Sequence, residues 1–263
     1  MLARSCGDLL LDVHADPDHH RSVLTVAGPP DAVAAAARSL ARTAVGRLRL
    51  TGHAGAHPRL GVLDVVPFVP LGTTPPDAAV AARDAFCRWA GAALGLPCFR
   101  YGPLPDGAER TLPDVRRGAF DAVPPDAGPP APHPTAGATA VGARRTLVAY
   151  NLWLAGGGTT AALARSVARS VRGPAVRALG FELARGVQVS CNLVDPATVG
   201  PAEVYDAVAG RLAGTGATIV RCELVGLVPA SVLARTPPER WAALDLRVDR
   251  TIEARVEEAG VGG

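Results

Sequence analysis

Short apolar runs from Leu9 to Val13 and from Ser22 to Ala27 read as strands, divided by the polar turn His14 to Arg21. After them VAAAARSLARTAVGRL carries small and apolar residues at helical spacing, with Asp31 placed as its N-cap. Leu48 to Leu50 and Gly61 to Val66 are further strand candidates. Thr74-Pro75-Pro76-Asp77 opens a helix that ends at Gly95, and Cys98 to Tyr101 gives another short strand. Between Pro103 and Thr139 the periodicity fades. The tract Pro124 to Thr135 is too dense in proline for helix or central strand, so composition leaves a linker and an ordered ligand-facing loop equally open.

The second half has a clearer pattern. Arg145 to Leu154 predicts a strand, Thr159 to Arg172 a helix capped by Thr159 or Thr160, and Val176 to Leu183 with Val187 to Asp195 a hairpin. Pro201 to Leu212 predicts a helix and Ala217 to Leu227 a last strand, with helices after Pro229 and Pro238. Strand, helix, hairpin, helix, strand is the split βαβ order of a ferredoxin-like sheet. The first half repeats much of that rhythm. The expected class is therefore α/β (α+β), with two ferredoxin-like βαββαβ subdomains joined near Val148 to Asn151, at 1–148 and 149–263.

Composition narrows the chemistry. Of 263 residues 48% are hydrophobic and only 4% aromatic, which predicts a core of Ala, Val and Leu. Net charge is +3, and every basic residue is Arg. The absence of Lys removes Schiff-base catalysis and a Gly-Lys phosphate loop. Spaced arginines with few aromatics do not make a nucleic-acid surface, so no nucleic-acid partner is expected. Five scattered cysteines without a CxxC pair indicate neither a disulfide framework nor a zinc knuckle. No apolar run approaches the roughly 18 residues of a membrane span, and the amino terminus lacks a signal peptide. A cytoplasmic protein with no membrane partner is expected.

The stretch TGHAGAHPRLGVLDVVPFVP carries the strongest functional signal. A turn held by Gly55, Pro58 and Gly61 places His57 and Arg59 at a strand mouth, where a loop site borrows rigidity from a sheet. An imidazole that titrates near neutrality can take and return a proton, and a planar guanidinium can hold a carboxylate at two points. The structural alternative pairs Arg59 with Asp64 and leaves His57 capping the turn. Five of the six histidines fall in the first 57 residues, but HADPDHH lacks the i, i+4 pair and accompanying Glu of a helical zinc site. No metal is expected.

Five ordered segments, LLLDVHADPDHHRSVLTVAG, GHAGAHPRLGVLDVVPFVP, GATAVGARRTLVAYNLWL, VQVSCNLVD and ELVGLVP, resemble the formiminotransferase domain of the glutamate formiminotransferase and formiminotransferase-cyclodeaminase family. The resemblance spans about residues 9 to 233. It implies two α/β subdomains with a folate in the cleft between them, and transfer of a formimino group from N-formimino-L-glutamate to N-5 of tetrahydrofolate. Tetrahydrofolate is then a co-substrate. His57, in the HPR motif, matches the catalytic histidine, and Arg59 a family arginine suited to a glutamate carboxylate. Gly128, Pro129, Pro130, Ala131, Pro132, His133, Pro134, Thr135, Ala136 and Gly137 match the folate-binding loop. His14 and Asp16 are implied on a loop facing the catalytic histidine, with Asn192 and Glu223 completing the substrate-binding set.

The chain departs from the family at Ala56, where Glu is usual, at Ala136, where Trp is usual, and at Glu223, where many relatives carry Gln; it also starts after the usual VPNFSEG-like strand. An anion at position 223 beside a dianionic substrate calls for compensation by Arg59 or Arg144. These departures motivate an alternative, a folate-binding relative without transfer activity. A metal-dependent hydrolase built on the amino-terminal histidines is the remote alternative. Expected partners are the two substrates and a cyclodeaminase on a separate chain, with a homodimer left open.

Overall fold

The computed structural model describes every residue except 54, 56–58, 262 and 263. The expectations for Ala56 and His57 therefore fall outside the described residues. In chain order, a 3-10 segment (Ala3–Leu9) is followed by β1 (Leu10–Asp16), β2 (Arg21–Val26), α1 (Pro30–Arg47), β3 (Val65–Phe68) and α2 (Pro76–Leu94). Next come β4 (Cys98–Pro103), β5 (Glu109–Arg110), α3 (Leu112–Gly118) and β6 (Thr139–Ala143). The second half contains β7 (Val148–Gly156), α4 (Ala161–Ser170), β8 (Val176–Leu183), β9 (Gly186–Leu193), α5 (Pro201–Leu212), β10 (Ala217–Val225), α6 (Ala230–Ala234) and α7 (Ile252–Glu258). The class is α+β.

Contacts divide the chain into two compact units. Met1–Leu9 with Gly28–Arg145 forms the first, and Leu10–Ala27 with the chain from Thr146 onward forms the second. The hairpin β1–β2, which sequence order assigns to the first half, thus packs in the second unit. Nothing local in a hairpin's alternation specifies which sheet will cover its inner face.

The second unit has the antiparallel strand order β10-β7-β9-β8, the arrangement of a ferredoxin-like sheet. On β7 the period of two separates the faces. Val148, Tyr150, Leu152 and Leu154 enter a core shared with Ala164 and Val167 of α4 and Val204 and Val208 of α5. Asn151 and Trp153 point to the other face, in register with Glu223 and Arg221 of β10. The Tyr150 hydroxyl, buried in the core, donates to the Leu244 carbonyl at 2.7 Å. That bond answers the desolvation of the phenol.

The first unit keeps the element order βαββαβ, but its sheet runs β3-β6-β4-β5. β6 lies parallel to both β3 and β4, and β5 is antiparallel to β4. The helical crossover through α2 returns the chain from β3 to β4 in the same direction, and β6 inserts between these two strands parallel to both. Pro67, which cannot donate to a ladder, is accommodated because β3 is an edge strand. The core joins Phe68, Phe86, Cys87, Ala90, Cys98 and Val141. Arg83 of α2 is wholly buried, and its guanidinium donates to the Tyr101 carbonyl at 3.2 Å and to Asp84 at 2.8 Å.

Several boundaries differ from the sequence reading. Asp31 is in the first turn of α1, not at its cap; Pro29 precedes the helix and Pro30 occupies the first position, where a missing N–H is harmless. Leu48 to Leu50 forms no strand. Strand structure begins at Val65 and not at Gly61, and β7 begins at Val148 and not at Arg145. Thr160 caps α4, accepting from the Leu163 N–H at 3.1 Å. No helix among the described residues is long and apolar enough to cross a membrane.

Candidate active site

In the first unit the proline-rich tract is an ordered loop. The Leu50 N–H donates to Thr135 O at 2.8 Å, the Val62 N–H to Ala136 O at 2.9 Å, and the Ala138 N–H to Leu60 O at 3.0 Å. His133 and Gly137 exchange backbone bonds of 2.8 and 3.0 Å, and the His133 Nδ1 accepts from the Ala136 N–H at 3.1 Å. An accepting Nδ1 places the proton of the neutral ring on Nε2. Gly128, at φ +86°, packs against Gly91 and the Leu96 carbonyl so closely that a Cβ there would lie 2.7 Å from that oxygen. Pro129, Pro130, Ala131 and Pro132 form the exposed arm of the loop, while Ala136 is wholly buried.

Asp64 acts electrostatically on Arg59 and is also shared with Arg116. Its carboxylate accepts from Arg116 at 2.6 and 3.3 Å and from the Leu60 N–H at 2.7 Å. Burial lowers the pKa of the Arg59 guanidinium, nearby Asp64 opposes that effect, and Arg116 adds to it.

In the second unit His14 and Asp16 lie within β1, not on a loop. The strand continues to Asp16 because His14 pairs with Val23 and Asp16 with Arg21. The turn is then closed by the Asp16 carboxylate, which accepts from the N–H groups of Asp18 and His19 at 2.8 and 2.9 Å. Arg185 donates to the other Asp16 oxygen at 2.8 Å. Burial raises the pKa of this carboxyl, but the His19 backbone bond, the His19 charge and Arg185 outweigh it and hold the group below the usual carboxylate range. A lowered folded pKa gives stability that is present above the ordinary carboxylate value and is lost as pH falls through the folded one. Asp16→Asn is therefore expected to destabilise the second unit at pH 7 and to have a smaller effect at about pH 3, below the ordinary carboxylate value. Urea midpoints at the two pH values measure this; an equal effect at both would sink it.

Asn151 and Trp153, two of the neighbours of Glu223, are not among the site residues that the sequence points to. The Glu223 Oε2 accepts from Asn151 Nδ2 and Trp153 Nε1, each at 3.1 Å, and His14 Nε2 stands 3.8 Å from Oε1. The guanidinium groups of Arg221 and Arg185 stand over the Trp153 ring, 4.6 and 5.3 Å from its centroid. His19 Nε2 is 3.1 Å from Gln188 Oε1, which ties the hairpin to β9. Inside the unit, two N–H donors hold the Glu223 carboxylate. Asn192 is exposed within β9, opposite Ala149 and Arg177.

A cavity of about 570 Å³ opens beside this group, lined by His14, Arg221, Cys222, Glu223, Asp245 and Arg250 among others. Asp245 is engaged by Arg250 at 3.0 Å and by the Leu224 N–H at 2.8 Å. The structure therefore brings together His14, Asp16 and Glu223 in one unit, and Arg59 with loop 128–137 in the other. Asn151 and Trp153 were legible in principle, since YNLWL alternates and puts both on the face opposite the core. All five cysteines are buried, and burial pushes the Cys191 thiol up to about 12, far from a reactive thiolate. Among the described residues no three His, Cys, Asp or Glu side chains are grouped to hold a metal.

The α+β architecture, with conjoined histidine, carboxylate and arginine groups, has the attributes of a small-molecule enzyme class. Residues 2–144 match the family model described as the formiminotransferase domain, N-terminal subdomain. The chain is 33% identical over 244 residues to a glutamate formimidoyltransferase of Streptococcus pyogenes serotype M1, covering 86% of this chain and 81% of that protein. It is 31% identical over 243 residues to one of Thermoplasma acidophilum, covering 85% and 79%. A formimidoyltransferase-cyclodeaminase of Gallus gallus is 35% identical over 255 residues, or 88% of this chain, which spans about half (47%) of that longer relative. The chain belongs to the formiminotransferase family.

Proposed function

We propose that the protein transfers the formimino group of N-formimino-L-glutamate to N-5 of tetrahydrofolate, giving 5-formiminotetrahydrofolate and L-glutamate, a step of histidine degradation and one-carbon metabolism. The similarity to the Streptococcus glutamate formimidoyltransferase, across four-fifths of that protein, carries this reading. In the step, N-5 attacks the formimino carbon and loses its proton, the bond from that carbon to the glutamate nitrogen breaks, and the glutamate nitrogen gains a proton. A single imidazole can remove the first proton and deliver the second. His57 takes that role.

Arg59 is proposed to hold a substrate carboxylate, for which its planar guanidinium is suited. Residues 128–137 form the pterin wall, with the ordered backbone of the loop in support. His14, Asp16, Asn192 and Glu223 supply the remaining substrate contacts. The functional division is taken as 1–148 and 149–263, supported by a family match that ends at residue 144. No metal enters the reaction, the site of action is the cytoplasm, and a cyclodeaminase consumes the product. Purified protein incubated with both substrates is expected to release L-glutamate in proportion to 5-formiminotetrahydrofolate, followed by mass spectrometry. Folate binding without either product would overturn the reading in favour of an inactive folate-binding relative.

A further inference from the structure

Glu223 is fixed from one side. Both N–H donors, Asn151 Nδ2 and Trp153 Nε1, converge on Oε2 at 3.1 Å. Oε1 accepts no hydrogen bond among the described residues, because His14 Nε2 at 3.8 Å lies beyond hydrogen-bond range. The Glu223 side chain is 14% exposed, and it lines the cavity of about 570 Å³. A carboxylate anchored through Oε2, with Oε1 facing His14 and the cavity, is a pre-organised acceptor for a charged N–H group.

Arg221 provides the complementary charge. It precedes Glu223 by two residues on β10, so both side chains leave the same sheet face, opposite Trp153 and Asn151 of β7. The register slips between Ile219 and Arg221, leaving Val220 as an extra residue on this edge strand. Such bulges re-aim the side chains that follow them. The Arg221 guanidinium rests on the Trp153 ring, and no ion pair or hydrogen bond from it is found among the described residues. Asp245 and Arg250 satisfy each other and the end of β10, so their charges belong to the scaffold.

We infer that this cavity is the seat of the formimino donor, with the amidinium N–H groups on Glu223 Oε1 and one donor carboxylate on Arg221. The inference rests on the transfer reading and goes further, because it assigns the donor, as distinct from the folate, to the second unit. It also gives the anion at position 223 a purpose: an amidinium is planar and can donate from two nitrogens, whereas L-glutamate, the product, offers an ammonium in place of the amidine and lacks the outer nitrogen.

The test compares wild type with Glu223→Gln, which preserves shape, and with Arg221→Gln, at an exposed position where folding is insensitive. Each variant is expected to raise KM for N-formimino-L-glutamate about tenfold or more, the worth of one charge-assisted hydrogen bond, while KM for tetrahydrofolate moves less than about twofold. A donor KM unchanged in both variants, or a shift confined to folate, overturns the assignment and leaves the transfer reading standing. Calorimetric titration with N-formimino-L-glutamate and with L-glutamate separates the opposite case. If wild type shows no turnover yet binds the formimino compound in preference to glutamate, and Glu223→Gln abolishes that preference, the cavity assignment holds and the transfer reading fails. Absence of any such preference in wild type overturns the assignment.

Discussion

His57→Ala is expected to lower kcat for formimino transfer by about 10² to 10⁴-fold, the range spanned by positioned acid-base catalysts, with substrate KM values changing little. The reaction gives the reason. N-5 of tetrahydrofolate is a secondary amine that becomes cationic as it adds to the formimino carbon, and the tetrahedral adduct reverts unless that proton is removed. The departing glutamate nitrogen must receive a proton before its bond to carbon breaks. An imidazole serves both demands because each protonation state is well populated near neutral pH. Lowering kcat without raising KM is the signature of a contact made in the transition state, and steady-state kinetics on folded variant protein measures it. Equal kcat in variant and wild type would remove His57 from the mechanism. Loss of the donor KM alone would instead assign His57 to binding.

How much of this could be read from the sequence varied with how local the determinants were. α5 was legible to the residue, because Pro201 opens it and Glu203 reaches back to the Gly200 N–H at 2.9 Å, a signal contained within one turn. The helical start at Pro76 was legible for the same reason. β6 was not, since TAVGA is buried on every residue and carries no alternation, as expected for a strand with neighbours on both sides. The loop at 128–137 presented a proline-dense composition without periodicity. Its order comes from backbone bonds to Leu50, Leu60 and Val62, all far away in sequence, which no window of local composition contains. The anion at Glu223 was visible, but the donors that hold it stand some 70 residues upstream on β7 and depended on the β7–β10 register.

Gly61→Ala is expected to unseat that loop and destabilise the first unit by about 3 kcal/mol or more. A Cβ on Gly61 would lie 2.2 Å from the Ala138 carbonyl oxygen, 2.3 Å from that of Ala136 and 2.8 Å from the Ala138 nitrogen. Every one of these atoms is backbone, so no side chain can swing aside, and relief requires moving the strand into β6 or the 60–62 segment. Either movement breaks the bonds from Val62 to Ala136 and from Ala138 to Leu60. Gly46→Ala supplies the contrast. Its added methyl meets nothing within 4 Å and sits in α1, where Ala is favoured over Gly by about 0.5 to 1 kcal/mol, so that variant should gain slightly. Calorimetric melting of the two variants beside wild type decides the matter, with the transition of the first unit moving down for one and up for the other. The loop's proposed part in holding the pterin adds a second readout: Gly61→Ala should weaken tetrahydrofolate binding, while Gly46→Ala leaves it intact. Equal stability of the two glycine variants would mean that the 60–62 segment and residues 136–138 are not packed backbone to backbone.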